Sequence, residues 1–208
     1  MNILVESLFL PPIAFFQEVI NFSKINIEIH EHFQKQTFRN RCYILSANGP
    51  QILTVPVHHS GKIHSKDIII DNSQRWNSIM WRSVCTSYGN SPFFEHYRDD
   101  FEKIILTKNE TLVELNTKLL KLCFKLLNIN NIIEFTTEYE SQCEINIKDI
   151  RNKYLPSIFK PVLTSEYNHK YFQQFGNIFV LNLSILDLLF NVGTNSSEYL
   201  YYISNQFE

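Results

Sequence analysis

Hydrophobic and polar positions along the chain change their period several times, and each change marks an element. Residues 2–6 (NILVE) form a short apolar run that predicts a buried strand. Pro11-Pro12 ends the loop after it, and because proline suits the first turn of a helix, residues 12–22 predict a helix. Over residues 25–33 the period is two. Ile25, Ile27 and Ile29 fall on one side and Glu28, His30 and His32 on the other, the pattern of a half-buried strand. Residues 38–45 and 51–57 read as two more strands around Asn48-Gly49, a strong hairpin signal that Pro50 can widen. A loop over 58–65 and a short strand over 68–70 precede a helix over 73–88, capped by Asn72 or Ser73. Ser91-Pro92 restarts a helix to about Leu106. Leu112, Leu115, Leu119, Leu122 and Leu126 recur at helical spacing, so residues 111–127 predict an amphipathic core helix. A strand follows over 132–136. Residues 138–180, polar and broken by Pro156 and Pro161, predict loops and short helices. A last helix runs from Ser184 through Phe190, where Asn191 and Gly193 stop it.

Strands alternating with helices, without internal repeats, predict an α/β fold. The expected architecture is a single domain over residues 1–208. Its mixed sheet would hold the first strand, the hairpin (about 38–57) and the strand at 132–136, with helices packed on it. The chain has 208 residues, enough to bury a core, and 14% aromatic against 19% charged residues excludes a disordered class. A net charge of −2 gives no global field toward nucleic acid or anionic lipid, so the expected partner is a small molecule. No run reaches the ~20 apolar residues of a membrane span. The first twenty residues hold no Lys or Arg and are interrupted by Glu6, which favours a strand over a secretory leader. Cys42, Cys85, Cys123 and Cys143 are widely spaced with no CxxC pair, which favours reduced thiols and a cytoplasmic location over disulfides or a zinc knuckle.

Candidate chemistry concentrates in residues 30–57. On a strand Arg39 and Arg41 share a face, and with Lys35 they could hold a phosphate, diphosphate or carboxylate of an anionic substrate. The competing reading is a solvated hairpin face with the arginines paired to Glu28 or Glu31. Asn40 would orient substrate or brace the turn. His30 is the candidate general base, with Glu31 to orient it. Glu28 and His32 lie ~13 Å apart along an extended strand, too far for these residues and His30 to converge on one metal ion. Cys42 beside Arg41 raises a Cys–His thiol enzyme as an alternative. Trp81 and Tyr88 are seven apart on one helical face, fit for the core or for the floor of a sugar pocket. Asp187 lies in the apolar run SILDLLF and needs a partner, with Arg39 or Arg41 as the expected one. No glycine-rich phosphate loop, nucleophile elbow or HExxH is present, so the cofactor stays unknown.

The blocks LFLPPIAFF, KQTFRNR, NGPQILTVPV, WRSVCTSYGNSPFFEHY and NLSILDLLFNVG together resemble the WbqC-like protein family over nearly the whole chain, most weakly over 138–170. Asn40-Arg41 falls on the family's Asn-Arg pair and Lys35 on the basic position before it. Thr54 and Pro56 fall on its Leu-Thr-Val/Ile-Pro block, Trp76 on its tryptophan, and Tyr88, Ser91 and Pro92 on its Tyr-to-Pro block. The chain departs from the pattern at Glu6-Ser7, where the wider family has Gln-Pro, at Phe9 for a tyrosine, at His30 for Asp, and at Met80 for a His. The resemblance implies an acyl or aminoacyl transferase acting on an amino sugar for surface polysaccharide. A non-catalytic binding protein for a phosphorylated or nucleotide-linked molecule is the alternative.

Overall fold

Four strands pair into one parallel sheet, three of them from runs legible in the sequence, and that sheet positions everything else. The computed structural model describes residues 2–139, 141 and 146–204. In chain order come β1 (Asn2–Glu6), α1 (Ile13–Val19), β2 (Lys24–Glu28), β3 (Arg41–Ser46), β4 (Gly49–Thr54), β5 (Val57–His58) and β6 (Ile69–Ile70). There follow α2 (Trp76–Tyr88), α3 (Phe94–Leu106), α4 (Leu112–Leu126), β7 (Ile132–Phe135) and β8 (Ile147–Asp149). The described chain closes with β9 (Val162–Thr164), β10 (Phe179–Leu181), α5 (Ile185–Val192) and α6 (Ser196–Ser204). The parallel sheet has the order β7-β2-β1-β8. In-register pairs Ile3↔Ile25 and Val5↔Ile27 place four buried side chains in one core with Phe16 and Val19 of α1 and Leu119 and Cys123 of α4.

The hairpin is present at β3-β4, but it pairs only with itself and packs against α2 and α5 instead of extending the sheet. Ala47 and Asn48 form its loop without a positive φ and Gly49 takes φ +95°, so the turn is not of the primed type and glycine serves the residue after it. Residues 29–33 leave β2 and zip onto the loop before the 3₁₀ turn at Ser65–Asp67: Phe33 N donates to Ile63 O, Ser65 N to Glu31 O and Lys66 N to Ile29 O. The strand expected over 25–33 therefore ends at Glu28. The segment 138–180 contains three short strands, not only loops, and α6 follows the helix expected to be last.

α4 begins on a capping box: Thr111 Oγ1 accepts from Glu114 N while Glu114 accepts from Glu110 N, one residue before the cap. α5 is buried along its length, and its Phe190 ring touches Tyr88, Phe94 and Phe101 at centroid distances of 5.2–5.6 Å. The start of α5 also closes the first loop. Ile13 N donates to Leu183 O, Ile185 N to Pro11 O and Ser184 Oγ to Leu10 O, holding Leu10 at φ +43°.

Candidate functional site

From β1 the chain moves one way across the sheet to β2 and β7, and later returns to lay β8 on the opposite side of β1. The order reverses between β1 and β8, and open parallel sheets place ligands at the carboxyl ends of strands at such a switch. Here those ends carry acid. Glu6 and Glu28 are the last residues of β1 and β2 and are register partners, so their side chains leave the sheet on one face. Asp149 ends β8, and after Ile150 come Arg151 and Asn152.

Two arginines sit among these carboxylates. Arg39 is 1% exposed and grips Glu31 with both ends of its fork, Nε to Oε1 and Nη2 to Oε2, each at 2.7 Å. Glu6 stands 4.0 Å from Arg39 Nη1 and accepts from the Asn152 backbone N–H at 3.1 Å. One guanidinium thus faces two buried carboxylates and is already committed to Glu31. Burial, only partly offset by Arg39, pushes Glu6 from 4.5 up to about 7. Asn152 adopts φ +59°, and its Oδ1 accepts from Arg39 Nη2 and Gln34 Nε2. Arg151 joins Glu28 at 3.2 Å and Asp149 at 2.6 Å.

At the neighbouring strand end, Glu28 Oε1 accepts from the His30 backbone N–H and from Thr136 Oγ1. The His30 ring bridges outward. Nε2 lies 3.1 Å from the Thr136 carbonyl and Nδ1 lies 3.4 Å from Lys66 Nζ. A carbonyl only accepts, so Nε2 carries the proton and the neutral ring presents a bare Nδ1.

The residues expected from sequence scatter. His30 lies at this mouth, beyond β2 and not within a strand, and exposed His32 stacks on His64 with ring centroids 4.9 Å apart. The single-strand face of Glu28, His30 and His32 does not exist. Lys35 is exposed in a turn. Arg39 precedes β3 in a turn that Asn40 N closes onto Thr37 O, so it shares no strand face with Arg41. Asn40 is a brace: its Nδ2 donates to Val55 O, and its own carbonyl accepts from Val55 N. Arg41 is half-buried on β3, and its Nε is buried without a hydrogen bond among the described residues. Trp81 stacks against Phe94 in the core, and Tyr88 is fully buried with its hydroxyl accepting from Leu45 N.

Asp187 is fully buried, but its partners are not arginines. Tyr171 Oη donates to it at 2.5 Å and Gln173 Nε2 at 2.9 Å, with Tyr88 alongside. Burial outweighs these donors and pushes its carboxyl from 3.8 up to about 6. Cys42 is buried, and desolvation drives its thiol far above the usual range, which removes the basis for a Cys42–His30 thiol enzyme. Cys42, Cys85 and Cys123 are free, and Cys143 lies outside the described residues.

Four residues of the mouth escaped the sequence reading: Glu6, Thr136, Arg151 and Asn152. Glu6 was visible as a charge inside an apolar run, the one signal that could have singled it out. The other three lie in or beside the segment whose strands are too short to show a period.

An open parallel sheet flanked by helices, with ionisable groups gathered at its strand switch, defines an α/β protein. A family model described as "WbqC-like protein family" matches residues 6–156. The chain belongs to that family. It is also similar to "Uncharacterized protein Rv1507c" of Mycobacterium tuberculosis (strain ATCC 25618 / H37Rv), 25% identical over 230 residues and covering 96% of each chain. No solved structure matches. Among the described residues, no helix is long and apolar enough to cross a membrane.

Proposed function

We propose that the protein transfers an acyl or aminoacyl group to the amine of a small activated substrate, with an amino sugar as acceptor, in the cytoplasm and in surface-polysaccharide synthesis. The observation that carries this reading is Glu6, a buried carboxyl at the strand switch that titrates at about 7. Such a group is half-ionised near neutrality and suits general-base work. It takes a proton from the acceptor's ammonium, the freed amine attacks the acyl carbonyl, and the bond to the donor's leaving group breaks. The proton held on Glu6 then passes to that leaving group, and the new amide nitrogen gives up its second proton to solvent. His30, with its bare Nδ1, is a second base at the same mouth. Arg39 acts on Glu6 and Glu31, which leaves Lys35 and Arg41 as the cations of the ribbon free to meet an anionic part of the substrate.

The test is thiol release from acyl thioesters in the presence of amino-sugar acceptors. Wild type turns over, and Glu6→Gln falls by roughly 100-fold or more, the range for losing a general base. A Glu6→Gln chain that turns over at the wild-type rate removes Glu6 from the chemistry. If no donor–acceptor pair turns over while sugar nucleotides raise the melting temperature, the protein is the binding protein of the second reading.

A further inference from the structure

We infer that Lys66 and His30 form a phosphate site at the mouth of the sheet, fitted to the phosphoryl or diphosphate group of the activated substrate. The inference rests on the transferase reading for its substrate and assigns that substrate's phosphoryl part to Lys66 and His30, apart from the ribbon cations Lys35 and Arg41. Lys66 is fixed from both sides. Its backbone N–H is tied to Ile29 O, and its neighbour Ser65 is tied through N to Glu31 O. Its ammonium meets His30 Nδ1 at 3.4 Å and no carboxylate among the described residues. Two of the acids nearby are engaged elsewhere: Glu31 with Arg39, and Glu28 with Arg151, Thr136 and the His30 amide, while Asp67, next in the chain, is exposed and makes no ion pair with Lys66 among the described residues. One of the ammonium's three donors faces Nδ1, and the others point to no protein partner described here.

The chemistry selects phosphate over carboxylate. His30 is faced by the Thr136 carbonyl at Nε2, by Lys66 at Nδ1, by Glu28 at its backbone and by His64 at its carbonyl. A bare Nδ1 beside an ammonium repels a plain anion's lone pairs unless a proton lies between them. A phosphoryl or diphosphate group with a charge of about −2 answers both Lys66 and an Nδ1 that draws a proton from solution, whereas a carboxylate's single charge answers only one cation. The site therefore grips the anion with Lys66 and takes up a proton on His30 as it does so.

Titration calorimetry with inorganic phosphate and pyrophosphate, without acyl donor, tests this separately from turnover. Wild type binds saturably and takes up protons, seen as a heat that changes between buffers of different ionisation enthalpy. Lys66→Ala weakens binding at least tenfold, Lys66→Arg recovers part of it, and Lys62→Ala, an exposed lysine on the same loop, binds as wild type does. His30→Gln binds without the proton uptake. The inference is overturned by a wild type that does not saturate, by Lys66→Ala binding as tightly as wild type, by equal losses in Lys62→Ala and Lys66→Ala, or by proton uptake that persists in His30→Gln. Loss of turnover in Glu6→Gln does not bear on this result, and intact turnover does not rescue it.

Discussion

Replacing Glu6 by Gln should make the protein more stable at mildly alkaline pH, the opposite of the usual effect of removing a buried charge. The folded protein holds the Glu6 proton up to about 7, whereas the free carboxyl loses it near 4.5. Between those values the native state binds more protons than the unfolded state, so stability falls as pH rises. Below 4.5 both states are protonated and the residue is neutral in its effect. Above 7 the full penalty is present, on the order of 3 kcal/mol at about 1.4 kcal/mol for each tenfold step. Gln cannot ionise, and its side-chain oxygen keeps the acceptor for the Asn152 N–H. Urea unfolding at fixed pH from 4.5 to 8.5 should give curves that agree at the acid end and separate as pH rises through 5–7, the variant ending higher. Asp187, raised from 3.8 to about 6, adds a decline between those values to both chains and cancels in the difference. Parallel curves across the whole range would refute the argument, because they would mean that Glu6 ionises as freely in the fold as out of it.

Other perturbations follow from the same contacts. Arg39→Met should cost roughly 3–5 kcal/mol in chemical denaturation, because it leaves Glu31 and Glu6 buried without a cation; a loss under 1 kcal/mol would show that water reaches them. Gly193→Ala should lower stability by about 2 kcal/mol or more. Its backbone sits at φ +64°, and a Cβ would meet the Phe93 ring at 2.2 Å, so an unchanged melting temperature would count against this packing. Native thiol labelling should spare Cys42 and reach half-buried Cys85 before it; fast, pH-sensitive labelling of Cys42 would revive the thiol reading.

How far the sequence carried depends on where each element's partner lies. α4 and α5 were legible because five leucines at helical spacing and a Ser-led apolar run state a helix locally. The 25–33 strand was overextended because alternation records which side is buried, not what pairs with it. Beyond Glu28 the same alternation serves the zipper to residues 63–66. Arg39 and Arg41 looked equivalent at a spacing of two, but Phe38 O is held by Phe9 N and Asn40 N turns back to Thr37 O, so Arg39 swings into the core before β3 begins. Asp187 needed a partner, as its surroundings demanded, and found Tyr171 and Gln173 from the segment whose pattern was illegible. Glu6 gains its meaning only from its register with Glu28 and from Arg39 and Asn152, none of them near it in the chain.

The bonds between the first loop and the start of α5 also bear on how the chain acquires its structure as it is made. Ser184 Oγ reaches Leu10 O across 174 positions, and Pro11 O and Ile13 N find their partners in Ile185 and Leu183. Those groups, with a strained Leu10 between them, can be satisfied only by solvent until residue 185 has left the ribosome. β1 likewise waits for residues 147–149 to fill its second side. Folding from the N-terminus forward is therefore blocked at both edges of the site, and structure must close late and from the far end. A chain halted after residue 156, where the family match stops, would hold an intact β1-β2-β7-β8 order with no α5 to seat Tyr88, Phe94 and Phe101. It should accumulate as a sticky intermediate instead of a small folded protein.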